Sequence, residues 1–234
     1  MTDSLDWTPA PLPAPVTLQG RTVTLAPLSA ALHTEALWLA FQGPELNWSW
    51  LADSAPLSEP ALRTSLAAKE AGSSALFFAI VPVKTGLPAG YFSLMRIEPA
   101  HGVIEVGAVT FSAALQRTTE ATEAIYLLIR HVFDDLGYRR LEWKCNAENA
   151  PSRRAALRLG FSFEGIFRQH MVVKGANRDT AWFSMIDSEW PDRKPAFQRW
   201  LDLGNFDDSG KQRKTLEACR QDKTGNADPS LRTG

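Results

Sequence analysis

Cysteine is nearly absent. Cys145 and Cys219 are the only two in 234 residues, far apart and with no metal-ligand spacing around either. A disulfide framework and a zinc site are thereby excluded, no metal is expected, and a reducing cytoplasmic setting is the default. Long apolar runs are missing too: none approaches the roughly 18–20 residues that span a bilayer, so a soluble chain without membrane contact is expected. The opening Met1-Thr2-Asp3-Ser4-Leu5-Asp6 has neither the basic nor the apolar region of a secretory signal. Charge of one sign is also lacking. The 25 Lys and Arg residues offset 26 Asp and Glu, a formal net charge of −1. Nothing global then draws the chain to nucleic acid.

What is present fits one globular domain with flanking pieces, since 44% of residues are hydrophobic and 22% charged. Residues 1–19 hold Pro9, Pro11, Pro13 and Pro15 and read as an extended, poorly ordered leader. A strand over 21–25 leads to a helix opening at Ser29 or Ala30 and stopped by Gly43-Pro44, and a second helix starts at Ser58-Glu59-Pro60. Then come β-rich runs over 75–81, 89–97 and 102–111, and a strongly amphipathic helix from Thr118 to Leu136, ended by Gly137. A strand over 141–146, a short helix over 150–159 and a hairpin turning at Lys174-Gly175-Ala176-Asn177 close the main domain near residue 190. A helix over 191–204 precedes a tail, 205–234, that is polar and expected to be disordered. This order predicts an α+β, mixed α/β fold.

Three local patterns carry chemistry. Val106-Gly107-Ala108-Val109-Thr110-Phe111 runs as a strand into Gln116-Arg117-Thr118-Thr119-Glu120-Ala121-Thr122 at the start of the long helix. A helix N-terminus offers unpaired N–H donors and partial positive charge to an anion, although Thr118 or Thr119 as N-cap would need no ligand. Asn149-Ala150-Pro151-Ser152, then Leu159-Gly160-Phe161, then Glu164-Gly165 follow the next strand and enclose the short helix. Asn149 alone reads as an N-cap with Pro151 in the first turn. Glu105 lies on the strand eleven residues before Gln116, and a lone strand glutamate is ordinarily just solvated.

Together these motifs and their order resemble the GNAT N-acetyltransferases over roughly residues 20–190, and within them the branch that acetylates ribosomal-protein N-termini. The resemblance implies a central, mostly antiparallel twisted sheet splayed at the CoA site and flanked by helices. It implies acetyl-CoA as co-substrate, its pyrophosphate gripped by Gln116, Arg117, Thr118, Thr119, Glu120, Ala121 and Thr122. Ala108, Val109 and Phe111 would line the acyl end, and Asn149 and Ser152 the pantetheine arm. The family loop reads Q/R-x-x-G-x-G/A. Here Thr119 stands where glycine is usual and Glu120 adds a negative charge, so Arg117 and the threonine hydroxyls would be substitute donors.

For catalysis the resemblance makes Glu105 the first choice of general base, with His170 its rival. A strand N–H near Ala108–Val109 would face the developing oxyanion. Many members protonate the leaving thiolate with a tyrosine seven residues after the asparagine; Ala156 stands there, and Ser152 is the substitute. The acceptor is an amine, either a protein N-terminal α-amino group or a small molecule such as an antibiotic or polyamine. Trp48, Trp50, Arg96, Glu98, His101 and His170 are acceptor-site candidates by location. A CoA-binding module without catalysis is the reading from another class, and a homodimer is an assembly the chain admits.

Overall fold

The chain opens with β1 (Leu18–Gln19) and β2 (Val23–Pro27), followed by α1 (Ala30–Ala40) and α2 (Glu59–Ala71). Next come β3 (Ala75–Pro82), β4 (Gly90–Glu98), β5 (Val103–Phe111), α3 (Thr119–Arg130), β6 (Arg140–Asn146) and α4 (Ala150–Leu159). The hairpin of β7 (Ser162–Val173) and β8 (Ala176–Ile186) leads to α5 (Trp190–Leu201) and α6 (Leu216–Gln221). In this computed structural model, which describes residues 5–42 and 47–222, the eight strands form one sheet in the order β1-β2-β3-β4-β5-β6-β8-β7. Every neighbouring pair is antiparallel except β5 and β6. The mixed α/β fold read from the sequence is the fold observed.

Helix ends follow the local chemistry of the chain. The Ser58 hydroxyl accepts from Ala61 N–H to start α2, Thr118 does the same for Ala121 at α3, and the Asn149 carboxamide does so for Ser152 at α4. Gly160, at φ +97°, closes α4 in the left-handed conformation that a C′ glycine supplies. The expected stop at Gly43-Pro44 lies outside the described residues; α1 has already ended at Ala40.

Strand alternation divides the sheet into two different faces. Ile104, Val106, Leu141, Trp143, Ala181 and Phe183 join the main core with α3 and α5, where Ala124, Ile125, Leu128, Ile129, Phe197 and Trp200 are buried. On the opposite face, α1 and α2 cover only the β3–β4 half, through Leu37, Phe41, Leu62 and Leu66 packed with Ala79 and Tyr91. Fully burying Leu62 and Leu66 contributes about 1.5–3 kcal/mol each. The residues on β5, β6 and β8 that share this face include Glu105, Glu142, Lys144, Arg178, Thr180, Trp182 and Ser184. No helix covers that half among the described residues, and it holds the site.

Two flanking segments differ from expectation. Described residues of the leader pack instead of fraying: Ala10 is buried, its N–H donates to Pro99 O, and Pro11 O accepts from Tyr138 Oη. Trp7 donates from Nε1 to Ala100 O and lies over Gly102, where an added Cβ would stand 2.5 Å from the indole ring. Prolines set the extended backbone here, and these contacts hold it in place. The described part of the tail, residues 205–222, is folded onto the domain. Thr215 caps α6, whose Leu216 and Cys219 are buried in the main core, and the final twelve residues lie outside the described region. Two apolar side chains one turn apart were too weak a periodic signal to register in the sequence.

Candidate active site

The site begins where two strands part. β5 and β6 bond only from Val103–Arg140 to Val106–Trp143, yet β5 continues to Phe111 and β6 to Asn146. Beyond Val106 the edge of β5 that served β6 opens into a wedge. A β-bulge marks the same place, because the β4–β5 register shifts between Tyr91 and Ser93 and Ala108 takes φ +50°. The Ser93 hydroxyl donates to Gly107 O and the Thr110 hydroxyl to Ala108 O, pinning the bulge. Gly107 allows a close approach: an added Cβ would overlap the Met95 Sδ at 2.2 Å.

A cavity of about 1120 Å3 fills the wedge. Its walls include Glu105, Ala108, Val109, Phe111, Gln116, Arg117, Thr118, Thr119, Ala121, Thr122, Asn149, Ser152 and His170. The fold thus brings together, from β5, α3, α4 and β7, every site residue expected from the sequence except Glu120, which is not part of the lining. Of the acceptor candidates, Trp50, Arg96 and His170 line the cavity. Trp48 instead packs edge-on against Phe41, 5.8 Å between ring centroids, and belongs to the α1–α2 core. Glu98, the last residue of β4, and His101, in the turn that follows, lie beside the leader contacts at Pro99 and Ala100 and outside the lining.

At one end, the start of α3 faces basic residues. Arg117 holds φ +62° in the turn before α3, and Arg154, Arg158 and Lys211 line the same cavity. Thr118 spends its hydroxyl locally, accepting from Ala121 N–H and donating to Leu115 O. The Gln116 carboxamide donates to Phe111 O. Arg158 donates to the Thr122 hydroxyl at 3.2 Å and stacks over Trp200 at 5.0 Å. Phe206, Gly210, Lys211 and Gln212, from the segment expected to be a loose tail, complete this wall. A helix N-terminus ringed by cations suits a phosphate-bearing ligand, and a cavity of this volume has room for one with a long arm.

At the other end Glu105 is buried between cations. Its Oε2 stands 3.0 Å from both Arg96 Nε and Lys144 Nζ. Lys144 also meets Glu142 at 2.5 Å and lies 3.8 Å from the Trp182 ring centroid, while Arg140 bridges Glu142 and Glu164. Burial pushes the Glu105 carboxyl above the ordinary carboxylate range, with Lys144 and Arg96 pulling the other way. His170 Nδ1 lies 3.0 Å from the Thr180 hydroxyl. Burial, reinforced by Arg96, Arg178 and Lys144, holds its imidazole below the ordinary histidine value. Ser152 accepts from Trp143 Nε1 at 3.0 Å. Lys144 and Arg178 were missed in the sequence, although charges alternating with apolar residues on the strand over 141–146 were a signal that one face is polar.

The acetyltransferase (GNAT) domain family matches residues 22–162, well over half of the chain. The protein belongs to the GNAT acetyltransferases. A GCN5-related N-acetyltransferase from Brucella melitensis is 48% identical, with a TM-score of 0.89 over 92% of this chain and 99% of that one. A probable GNAT-family acetyltransferase from Chromobacterium violaceum is 42% identical, with a TM-score of 0.77 over 82% of this chain and 96% of its own. The ribosomal-protein-serine acetyltransferase of Escherichia coli is 26% identical over 164 residues, 70% of this chain and 88% of its own length. GNAT membership makes the chain an acetyltransferase that uses acetyl-CoA. Among the described residues no group of three or more His, Cys, Asp or Glu is placed to hold a metal ion.

Proposed function

We propose that this GNAT enzyme acetylates the α-amino group of a peptide or protein N-terminus, with Glu105 as general base. Bound acetyl-CoA supplies a thioester whose carbonyl carbon the amine attacks. The residues that would hold it are the first turn of α3 with Arg117, Arg158 and Lys211 at the phosphate end, and Asn149 along the arm. Asn149 fits because capping engages only its Oδ1, leaving Nδ2 to donate.

The observation that carries the reading is the placement of Glu105: a buried carboxylate of raised proton affinity, lining the cavity at the strand gap. An α-amino group of pKa ~8 is about a tenth neutral at pH 7, so a weak base suffices for it, whereas a lysine of pKa ~10.4 is neutral to below ~0.1%. Glu105 takes the amine proton as the N–C bond forms. Backbone N–H groups of β5 near Ala108 and Val109 receive the charge developing on the carbonyl oxygen. Ser152 stands nearest in role to an acid for the leaving sulfur, whose pKa near 8.5 makes little demand on one.

The lining also favours a peptide over a polyamine or an aminoglycoside-like polycation. Among the described residues its acidic members are Asp53 and Glu105, and both are already paired with cations. The Escherichia coli relative is by name a ribosomal-protein-serine acetyltransferase, which favours the same reading.

Thiol release measured with Glu105→Gln tests the role of the carboxylate. The variant should lose about 10²–10⁴ in kcat/KM at pH 7 while acetyl-CoA affinity holds, and the loss should shrink as pH rises and solvent supplies neutral amine. Near-normal kcat/KM at pH 7 would remove Glu105 as base and leave His170 as the residue to test.

A further inference from the structure

The charges around Glu105 pair off with one remainder. Arg140 meets Glu164, Lys144 meets Glu142, and Arg96 meets Glu105, while Asp53 at the cavity mouth is held by Lys69 at 2.7 Å. Arg178 has no carboxylate of its own among the described residues. It stands on β8 opposite Met171 and lines the same cavity as Glu105, Arg96 and His170. Its Nε is buried with no hydrogen-bond partner. Leaving a charged donor unmatched out of water is costly, and a planar guanidinium is built to grip a carboxylate through two parallel N–H groups.

We propose that Arg178, supported by Arg96, binds a carboxylate carried by the acceptor, so that the preferred acceptor is a peptide whose first residue is acidic. The inference rests on the N-terminal acceptor proposed above and adds what that terminus must look like. Charge balance at the site supports it. A protonated amine entering alone meets the unpaired Arg178 beside the Arg96–Glu105 and Lys144–Glu142 pairs. An acceptor that brings its own carboxylate offsets Arg178 and leaves the pairs of Arg96 with Glu105 and Lys144 with Glu142 intact. Burial holds the Arg178 guanidinium below its ordinary value, with Cys145 and Glu105 pulling it back up. Burial, with the same cations, holds the His170 imidazole below its ordinary value.

Two peptides identical except for Glu or Gln at the first position, assayed with acetyl-CoA, test the proposal. The Glu peptide should win by about 10-fold or more in kcat/KM, mostly through KM, as expected for one charge-assisted contact. Arg178→Gln should bring the Glu peptide down to the level of the Gln peptide, Arg178→Lys should restore part of the preference, and acetyl-CoA affinity by calorimetry should be unchanged in both. Equal rates for the two peptides with the unaltered enzyme would overturn the inference, as would a Glu preference that survives Arg178→Gln. Loss of acetyl-CoA affinity in Arg178→Gln would also overturn it, placing the side chain on the donor instead. If free glutamate is acetylated and neither peptide is, the role of Arg178 stands and the peptide acceptor falls. If both peptides react equally, the acceptor stands and the role of Arg178 falls.

Discussion

Leu216→Ala removes a side chain that is fully buried although it lies in the polar C-terminal segment. The segment is tied down on both sides of it. Trp200 Nε1 donates to Gln212 Oε1 at 2.7 Å, Arg199 donates to Cys219 O at 2.6 Å, and Asn205 exchanges bonds with Lys214 in both directions. With the backbone anchored, the core cannot collapse into the space a leucine leaves, so the cost should fall in the usual range of about 2–5 kcal/mol. For a chain of this size each kcal/mol lowers Tm by about 2–4 °C, so the expected drop is on the order of 10 °C. Scanning calorimetry reads this directly, with Leu203→Ala as the control, since Leu203 is 69% exposed and its loss should cost no more than about 0.5 kcal/mol. A Tm for Leu216→Ala within a degree or two of the unaltered protein would mean that the segment is not part of the folded core. The reasoning would then fail.

Glu123, buried on α3, accepts from the backbone N–H groups of Arg21 and Thr22 and from the Thr22 hydroxyl, so Glu123→Ala should cost about 2–4 kcal/mol in denaturant unfolding without directly altering the chemistry of the cavity. Arg117→Ala should weaken acetyl-CoA binding by about 1–3 kcal/mol by calorimetry, because the glycine-poor loop leaves that side chain to face the phosphates; unchanged affinity would remove it from the site. The pH dependence has a defined sign. Glu105 must be ionised to accept a proton, and its carboxyl is raised, so kcat/KM should fall on the acid side at a pH above the ordinary carboxylate range, and this limb should vanish in Glu105→Gln.

Much of this site was legible because its parts are local. Thr118, Asn149 and Gly160 announce helix ends by residue type, and the motif spacing put Gln116–Thr122 and Asn149–Ser152 on either side of one strand. What escaped depends on contacts between residues distant in sequence. Lys144 and Arg178 acquire meaning only when β6 and β8 lie side by side facing Glu105 across the sheet, a juxtaposition no short window contains. The leader and the tail were misjudged for a related reason. Composition favours looseness in both, but Tyr138 is 127 residues from Pro11, the partner of its hydroxyl, and Leu216 is buried in the core shared with α5. Glu120 was placed at the phosphate site by its position in the motif, yet it is not among the residues that line the cavity.

The most direct test of the account follows one peptide with a free N-terminus and an internal lysine through a single reaction with acetyl-CoA, locating the acetyl group by tandem mass spectrometry. The account predicts acetyl-CoA-dependent modification at the α-amino group, with the lysine unmodified and no reaction when the terminus is blocked. Acetylation of the lysine with the terminus left free, or thiol release with small amines alone, would contradict it.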